Sequence, residues 1–371
     1  MKFCIITHVQ HIKKEDQYFA YAPYVQEMNI WLKYIDQVII VAPIQETTIS
    51  PIEISYQHHD LIFKEVASFE ITSLKQLLFS IIRLPKIVRA IYKAMKMADH
   101  IHLRCPGNMG LLGAIIQILF PKKKKTAKYA GNWDPKSKQP WTYKLQKWIL
   151  SNSFLTKNMQ VLVYGEWENQ TKNIKPFFTA TYEESDKKEV IIRDFKNKIH
   201  FLFVGTLSIG KQPLYALQII NELKKKGYNV CLDFYGEGIQ RTNLELYIKQ
   251  NDLSEIVFLR GNQAKAAVEK AYQQSHFLLL PSKSEGWPKV VAEAMFWKCL
   301  PIATKVSCVP YMLDYGNRGL LLDGNVEKDM EQIISVLENE LKYQEMTEKA
   351  ISWSREFTLD KFEAEIKKLL L

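Results

Sequence analysis

The sequence contains no Asp-x-Asp triplet, no Cys-x-x-Cys pair and no apolar run long enough to cross a bilayer. The longest oily stretch, 109–120, would cover roughly 18 Å as a helix against about 30 Å of hydrocarbon, and Pro121 ends it. The apolar run at 3–7 is short and has no small-residue cleavage site after it, so a secretory signal is not expected. Five scattered cysteines (Cys4, Cys105, Cys231, Cys299 and Cys308) argue against a disulfide framework or a zinc knuckle and point to a reducing compartment. Glycine and proline are modest, at 15 and 14, and 47% of residues are hydrophobic, which excludes a disordered or fibrous chain. A length of 371 residues is too much for one small module and suggests two domains.

Acidic residues are also scarce in one place. From Lys75 to Lys128 there are 12 Lys or Arg and a single acid, Asp99, so most of the net charge of +10 sits in that window. Arg83, Lys86, Arg89, Lys93 and Lys96 recur at spacings of three and four, which on a helix makes a basic stripe beside Leu84, Ile87, Val88 and Ile91. With Lys122, Lys123, Lys124 and Lys125 nearby, the stripe is expected to meet an anionic membrane surface, each cation contributing about 1 kcal/mol. No helix-turn-helix, finger or aromatic RNA-binding signature accompanies the charge, so nucleic acid is not expected as a partner.

Short β-rich runs alternate with amphipathic segments through the first half, at 3–7, 38–42, 100–104, 126–130 and 161–164. A polar stretch at 182–198 interrupts them, and a cleaner series opens at 199–204, 230–235, 256–259, 277–280 and 301–304. Continuous apolar strands with intervening helices predict parallel sheets buried on both faces. The expected fold class is therefore α/β, with two Rossmann-like doubly wound domains facing across a cleft. They are expected to span 1–190 and 191–355, followed by an amphipathic C-terminal helical segment, 356–371, that needs an apolar surface.

The most informative segment is 280–301, where an apolar strand gives way to a polar turn and then a helix. Glu285 falls in the turn and Glu293 falls inside the helix, about 8 Å further along the axis. At that separation the two carboxylates cannot share a proton. They are spaced instead to hold two places on an extended ligand, while free amides at 286–290 suit an anion between them. A nucleotide-activated sugar has this layout: hexose hydroxyls, a diphosphate, ribose hydroxyls.

Here the sequence resembles the retaining family-4 glycosyltransferases of GT-B fold (glycosyl transferases group 1), over most of 199–370. The signature is Glu285, seven residues, then Glu293, preceded by Leu280-Pro281-Ser282 and followed by Ala294-Met295 and the Pro301–Thr304 strand. Upstream, Phe203-Val204-Gly205, Lys211, Gly236-Glu237-Gly238 and Leu259-Arg260-Gly261 follow in family order. The resemblance implies that Glu285 contacts donor-sugar hydroxyls, Glu293 the ribose and Lys211 the diphosphate, making Glu285 and Lys211 the catalytic pair. It also places Gly205, Thr206, Gly286, Trp287, Lys289, Val290 and Arg260 at the donor. The first domain would bind the acceptor, and 356–371 would cross back onto it.

The chain departs from the family pattern at two points. Thr206 stands where the family usually has an Arg after the first-loop glycine, so Lys289 is expected to join Lys211 in balancing the diphosphate. No glycine-rich loop follows the first strand, and Gly131-Asn132-Trp133-Asp134 replaces the usual His-Asp. The acceptor-side candidates are His8, Arg104, Asn132 and Asp134, each weighed against an ordinary capping or packing role. His100 and His102 share a strand face without a third ligand, which argues against a metal site. Trp31, Trp133, Trp141, Trp148 and Trp167 are expected in the core rather than stacked on sugars.

The expectation is a metal-independent retaining hexosyltransferase without a cofactor, using a UDP- or GDP-sugar donor and a glycan or lipid-linked acceptor, in bacterial-type surface polysaccharide assembly. It is expected to be cytoplasmic and peripheral to the inner face of the membrane. The alternatives are a noncatalytic glycan- or lipid-binding subunit of the same fold, or a sugar-nucleotide epimerase or glycan phosphorylase.

Overall fold

The computed structural model describes residues 1–50, 52–69 and 74–371, with side chains in the helix opening at Leu74 described from 82 onward, so that of Lys75 lies outside them. By its contacts the chain divides into two units, Met1–Phe178 with Phe362–Leu371, and Thr179–Lys361. The division falls before the polar stretch rather than at 190/191. The reason is local: Arg193 donates to the carbonyls of Gln273 (2.6 Å) and Lys298 (2.6 Å) at two helix C-termini of the second unit, and Tyr182 packs on Phe296.

The first unit contains β1 (Lys2–Ile6), β2 (Ile12–Lys14), β3 (Gln17–Tyr21), α1 (Ala22–Leu32), β4 (Gln37–Ala42), β5 (Glu53–Ser55) and β6 (Leu61–Glu65). There follow α2 (Leu74–Met97), β7 (His100–Cys105), α3 (Asn108–Ile116), β8 (Lys124–Tyr129), α4 (Trp141–Ser151), β9 (Met159–Tyr164) and β10 (Ile174–Phe177). Seven strands form a parallel sheet in the order β10-β9-β8-β7-β1-β4-β6, and β2, β3 and β5 form a small antiparallel one. β1 sits centrally, Phe3 pairing with Val38 on one side and His100 on the other.

The second unit contains β11 (Ile199–Val204), α5 (Pro213–Lys225), β12 (Val230–Tyr235), α6 (Arg241–Gln250), β13 (Val257–Gly261), α7 (Lys265–Gln274) and β14 (Phe277–Leu280). It continues with α8 (Lys289–Phe296), β15 (Leu300–Thr304), α9 (Val309–Met312), β16 (Leu320–Leu322), α10 (Val326–Leu337), α11 (Glu340–Ser354) and the start of α12 (Leu359–Leu370). Its parallel sheet runs β13-β12-β11-β14-β15-β16. β11 and β14 are apolar throughout apart from His200 and pair side by side, as strands covered on both faces must be.

Both sheets are doubly wound, and in each the strand order reverses beside the first strand: at β1/β7 in the first unit and at β11/β14 in the second. Ligands bind such sheets at the carboxyl ends of the strands where the order reverses. In α12, Phe362, Ile366 and Leu370 recur every fourth residue and are buried; Phe362 packs against Phe177 and Phe178 of the first unit.

Several expected assignments change. Trp31 and Trp133 are buried, but Trp141 and Trp148 are 70% and 59% exposed, because α4 turns its Ile149 and Leu150 inward instead. Lys123 and Lys125 are not surface cations. Lys123 Nζ donates to the carbonyls of Met95 (2.8 Å), Lys96 (2.7 Å) and Ala98, closing the end of α2. Lys125 is buried and donates to Gln117 Oε1 (2.8 Å) and the Phe120 carbonyl (3.1 Å), and burial brings its pKa down to about 8. Arg83, Lys86, Arg89, Lys93, Lys122 and Lys124 are exposed as expected. Among the described residues no helix is long and apolar enough to cross a membrane.

Candidate active site

Two loops meet at the order reversal of the second sheet. The loop after β11 carries Gly205, Thr206 and Lys211 and ends where Gln212, in a left-handed conformation, turns the chain into α5 with Pro213 in its first turn. The loop after β14 carries Glu285. They are joined by the Lys283 amide donating to the Gly210 carbonyl (2.8 Å).

That junction brings Lys211 Nζ to 2.5 Å from Glu285 Oε1, with the carboxylate 8% and the ammonium 30% exposed. The cation thus remains reachable while its partner is largely shielded. Ser307 Oγ and Cys308 Sγ, in the loop after β15, donate to the Gly286 carbonyl at 3.2 and 3.0 Å and fix the peptide that follows Glu285. Motif spacing carries no signal for those two residues, since they act on a carbonyl more than twenty residues earlier. α8 then begins at Lys289, and its first amides have no intrahelical acceptor.

Glu293 lies within α8. Its two carboxylate oxygens accept from Thr181 Oγ1 (2.7 Å) and Tyr272 OH (3.1 Å), both neutral hydroxyls of the second unit. Burial, then the Glu293 charge, pushes the Tyr272 phenol well above its ordinary range, so it remains a donor. Glu293 is held by two neutral hydroxyl donors and by no cation among these contacts.

The loops after β11 and β12 share one backbone junction. Gly236, at φ 145°, sits against the Gly205 carbonyl so closely that a Cβ would lie 2.0 Å from it. The residue after β12 must therefore be glycine for the β11 loop to take its course.

Two expected donor residues are placed elsewhere. Arg260 pairs with Asp233 Oδ1 (2.6 Å) between β13 and β12 and lies over the Phe258 ring, on the outer side of the sheet from the reversal. The Trp287 ring packs on Trp353 and Phe357 at 6.1 and 5.8 Å, so only its backbone remains for a ligand. Thr206 is exposed, and Lys289 and Val290 are half-buried at the start of α8.

In the first unit, His8 follows β1 at the order reversal, and its ring lies against Gly107, just before α3. They line a hollow of about 200 Å³ with Gln10, Ser68, Asn108 and Tyr143. Desolvation, then Arg104, lowers the His8 pKa. Arg104 is committed to Glu27 Oε1 at 3.3 Å, beside Lys128 at 2.8 Å. Asn132 and Asp134 build turns: Asn132 Oδ1 accepts from the Asp134 amide and Asp134 Oδ1 from the Lys136 amide, both at 2.8 Å. Of the four acceptor candidates, the structure brings only His8 to the reversal with a free edge.

Residues 184–353, the stretch that holds Lys211, Glu285 and Glu293, match the family model described as glycosyl transferases group 1. Outside that group 1 segment the likeness continues. Protein CapJ of Staphylococcus aureus is 24% identical over 298 residues, covering 76% of this chain and 73% of that one. The poly(glycerol-phosphate) alpha-glucosyltransferase of Bacillus subtilis is 24% identical over 191 residues, 49% of this chain and 27% of that one. HepE of Anabaena, solved with UDP and glucose, matches with a TM-score of 0.69 at 13% identity, over 100% of this chain and 99% of that one. At such identity the likeness speaks to architecture, and the architecture is GT-B.

Proposed function

We propose that the protein is a glycosyltransferase that moves a hexose from a nucleotide diphosphate donor to a glycan or lipid-linked acceptor. The observation that carries this reading is the Lys211–Glu285 pair at the order reversal of the second sheet, with the first amides of α8 next in sequence.

Breaking the sugar-to-phosphate bond leaves charge on the diphosphate, which cations and oriented amides can stabilise without a metal. Lys211 is the cation for that charge, with Lys289 as the second, standing in for the cation lost at Thr206. Glu285, once Lys211 turns to the diphosphate, accepts from sugar hydroxyls. Glu293 receives the ribose hydroxyls with its remaining lone pairs, the Thr181 and Tyr272 hydroxyls holding it in place. The alpha-glucosyl product named for the Bacillus subtilis relative fits retention from an α-linked donor. His8 and its hollow are the acceptor end of the reading.

In this reading the exposed cations of α2, with Lys122 and Lys124, meet anionic headgroups at the inner face of the membrane, where surface polysaccharide would be assembled from lipid-linked acceptors. An incubation with a panel of UDP- and GDP-sugars, scored by release of the nucleoside diphosphate, tests the reading. Release with one donor supports it. No release, and no thermal shift with UDP or GDP, would favour a noncatalytic binding subunit.

A further inference from the structure

α2, α3 and α4 form one layer over a single face of the seven-stranded sheet, since Ile87 and Ile91 of α2, Ala114 of α3 and Ile149 of α4 share one buried cluster with Ile6 and Leu103. The opposite side of that layer is unusual. On α4, Trp141, Lys144 and Trp148 are exposed at spacings of three and four, which makes one stripe. At the end of α3, Ile115 and, just beyond it, Leu119 are 43% and 65% exposed. After α4, Phe154 is 74% exposed with Lys157 Nζ 5.0 Å above its ring.

Single exposed apolar residues need no explanation, but two tryptophans on one helical stripe with further large apolar side chains around them do. The charge pattern names the partner. Between 82 and 160 there are 16 Lys or Arg and two acids, Asp99 and Asp134, with no glutamate. Both acids are occupied by backbone amides, Asp99 by that of Lys2 and Asp134 by that of Lys136. A protein interface would mix both signs at its rim; the exposed charge contributed by 82–160 is overwhelmingly basic, with aromatic rings standing among it. Indole rings and long cations are the pair that suits a headgroup layer, the ring at the level of the carbonyls and the ammonium reaching outward.

We propose that the α4 stripe, Trp141 and Trp148 with Phe154 beyond it, inserts into the headgroup region of an anionic bilayer while the cations of α2 hold the surface electrostatically. This rests on the membrane-peripheral reading above and deepens it by naming the element that penetrates. The contact then has two components: a salt-sensitive one from α2 and a salt-resistant one from α4.

The test is co-sedimentation of the full chain with vesicles of phosphatidylcholine, alone or mixed with phosphatidylglycerol, at low and high salt. Wild type is expected to bind the mixed vesicles, with a fraction surviving high salt. A Trp141→Ser/Trp148→Ser variant is expected to lose that fraction and to bind roughly tenfold more weakly at low salt. Brominated phosphatidylcholine is expected to quench wild-type fluorescence, and Trp141→Phe/Trp148→Phe to abolish the quenching while preserving binding. Both positions are exposed, and unchanged melting temperatures confirm that the variants fold. If wild type binds neither vesicle, the peripheral reading and this inference both fall. If it binds but the serine variant binds equally well, or the phenylalanine variant is quenched as strongly, only this inference falls. Displacement of all binding, including the salt-resistant part, by soluble polyphosphate would also overturn it, because the face would then recognise anionic polymer rather than a bilayer.

Discussion

The Lys211 ammonium lies 2.5 Å from Glu285 Oε1, tying the loop after β11 to the loop after β14. A partly exposed pair of this kind contributes on the order of 1 kcal/mol or less, so a diphosphate with two negative charges can draw the lysine away. On the proposed reading, the pair holds the carboxylate beside a cation until a donor draws that cation away. Lys211→Ala is expected to lower the transfer rate by roughly a hundredfold or more, and Glu285→Gln to lower it while UDP binding is kept. Nucleoside diphosphate release and calorimetry with UDP measure the two effects. Lys289→Ala is expected to fall between Lys211→Ala and wild type. A wild-type rate would make Lys289 an ordinary helix-surface charge.

Gly236 is a stability prediction. Alanine there would place a methyl on the Gly205 carbonyl and also hold a side chain at φ 145°. Gly236→Ala is expected to cost about 3 kcal/mol or more, visible in a denaturant titration, whereas Gly227→Ala meets no neighbour within 4 Å and suffers only from its φ of 86°. Equal losses in the two variants would remove the close-approach argument.

The buried Glu27 joins Lys128 at 2.8 Å and Arg104 at 3.3 Å, and Lys128 also lies 4.9 Å from the Phe362 ring centre. Lys128→Met is expected to destabilise the chain by about 3 kcal/mol, because the buried Glu27 would lose the nearer of these two cations. Adding Glu27→Gln should recover part of the loss. No recovery in the double variant, followed by thermal melts, would show that Lys128 acts through packing alone.

Burial, the first cause in each case, drops the pKa values of His11, His100 and His276 to about 4 and of His102 to about 3. In the unfolded chain these imidazoles titrate near 6.5. Between pH 6.5 and about 4 the unfolded state therefore binds more protons, and stability falls as pH falls. Each histidine contributes up to about 1.4 kcal/mol per pH unit within its window. Melting temperature should decline from pH 6.5 to 5.5, before most carboxylates titrate. A flat profile there would contradict neutral buried rings.

The strands 199–204, 230–235 and 277–280 are legible in the sequence because each is a nearly continuous apolar run buried on both faces. β2, β3 and β5 are not, since they are short and mixed in polarity, and β5 pairs with a strand more than thirty residues earlier. The Glu285 and Glu293 spacing was readable because turn and helix fix both positions locally. Arg260 was not, because its partner Asp233 lies on a neighbouring strand 27 residues earlier. The lysine run at 122–125 is only half legible for the same reason: charge counting does not reveal which carbonyls Lys123 and Lys125 close off. Composition also does not tell that α4 turns both of its tryptophans outward.

The chain enters the second unit after Phe178 and leaves it before Phe362, and near those two crossings the Leu359 amide donates to the Tyr182 carbonyl at 2.8 Å. The second unit is thus a cassette spliced into the first, with its seams side by side. Recombination between relatives at those seams would exchange the half that holds Lys211 and Glu285 while leaving His8 and its hollow untouched, and on the proposed reading that exchange would bring new donor preferences without rebuilding the other half.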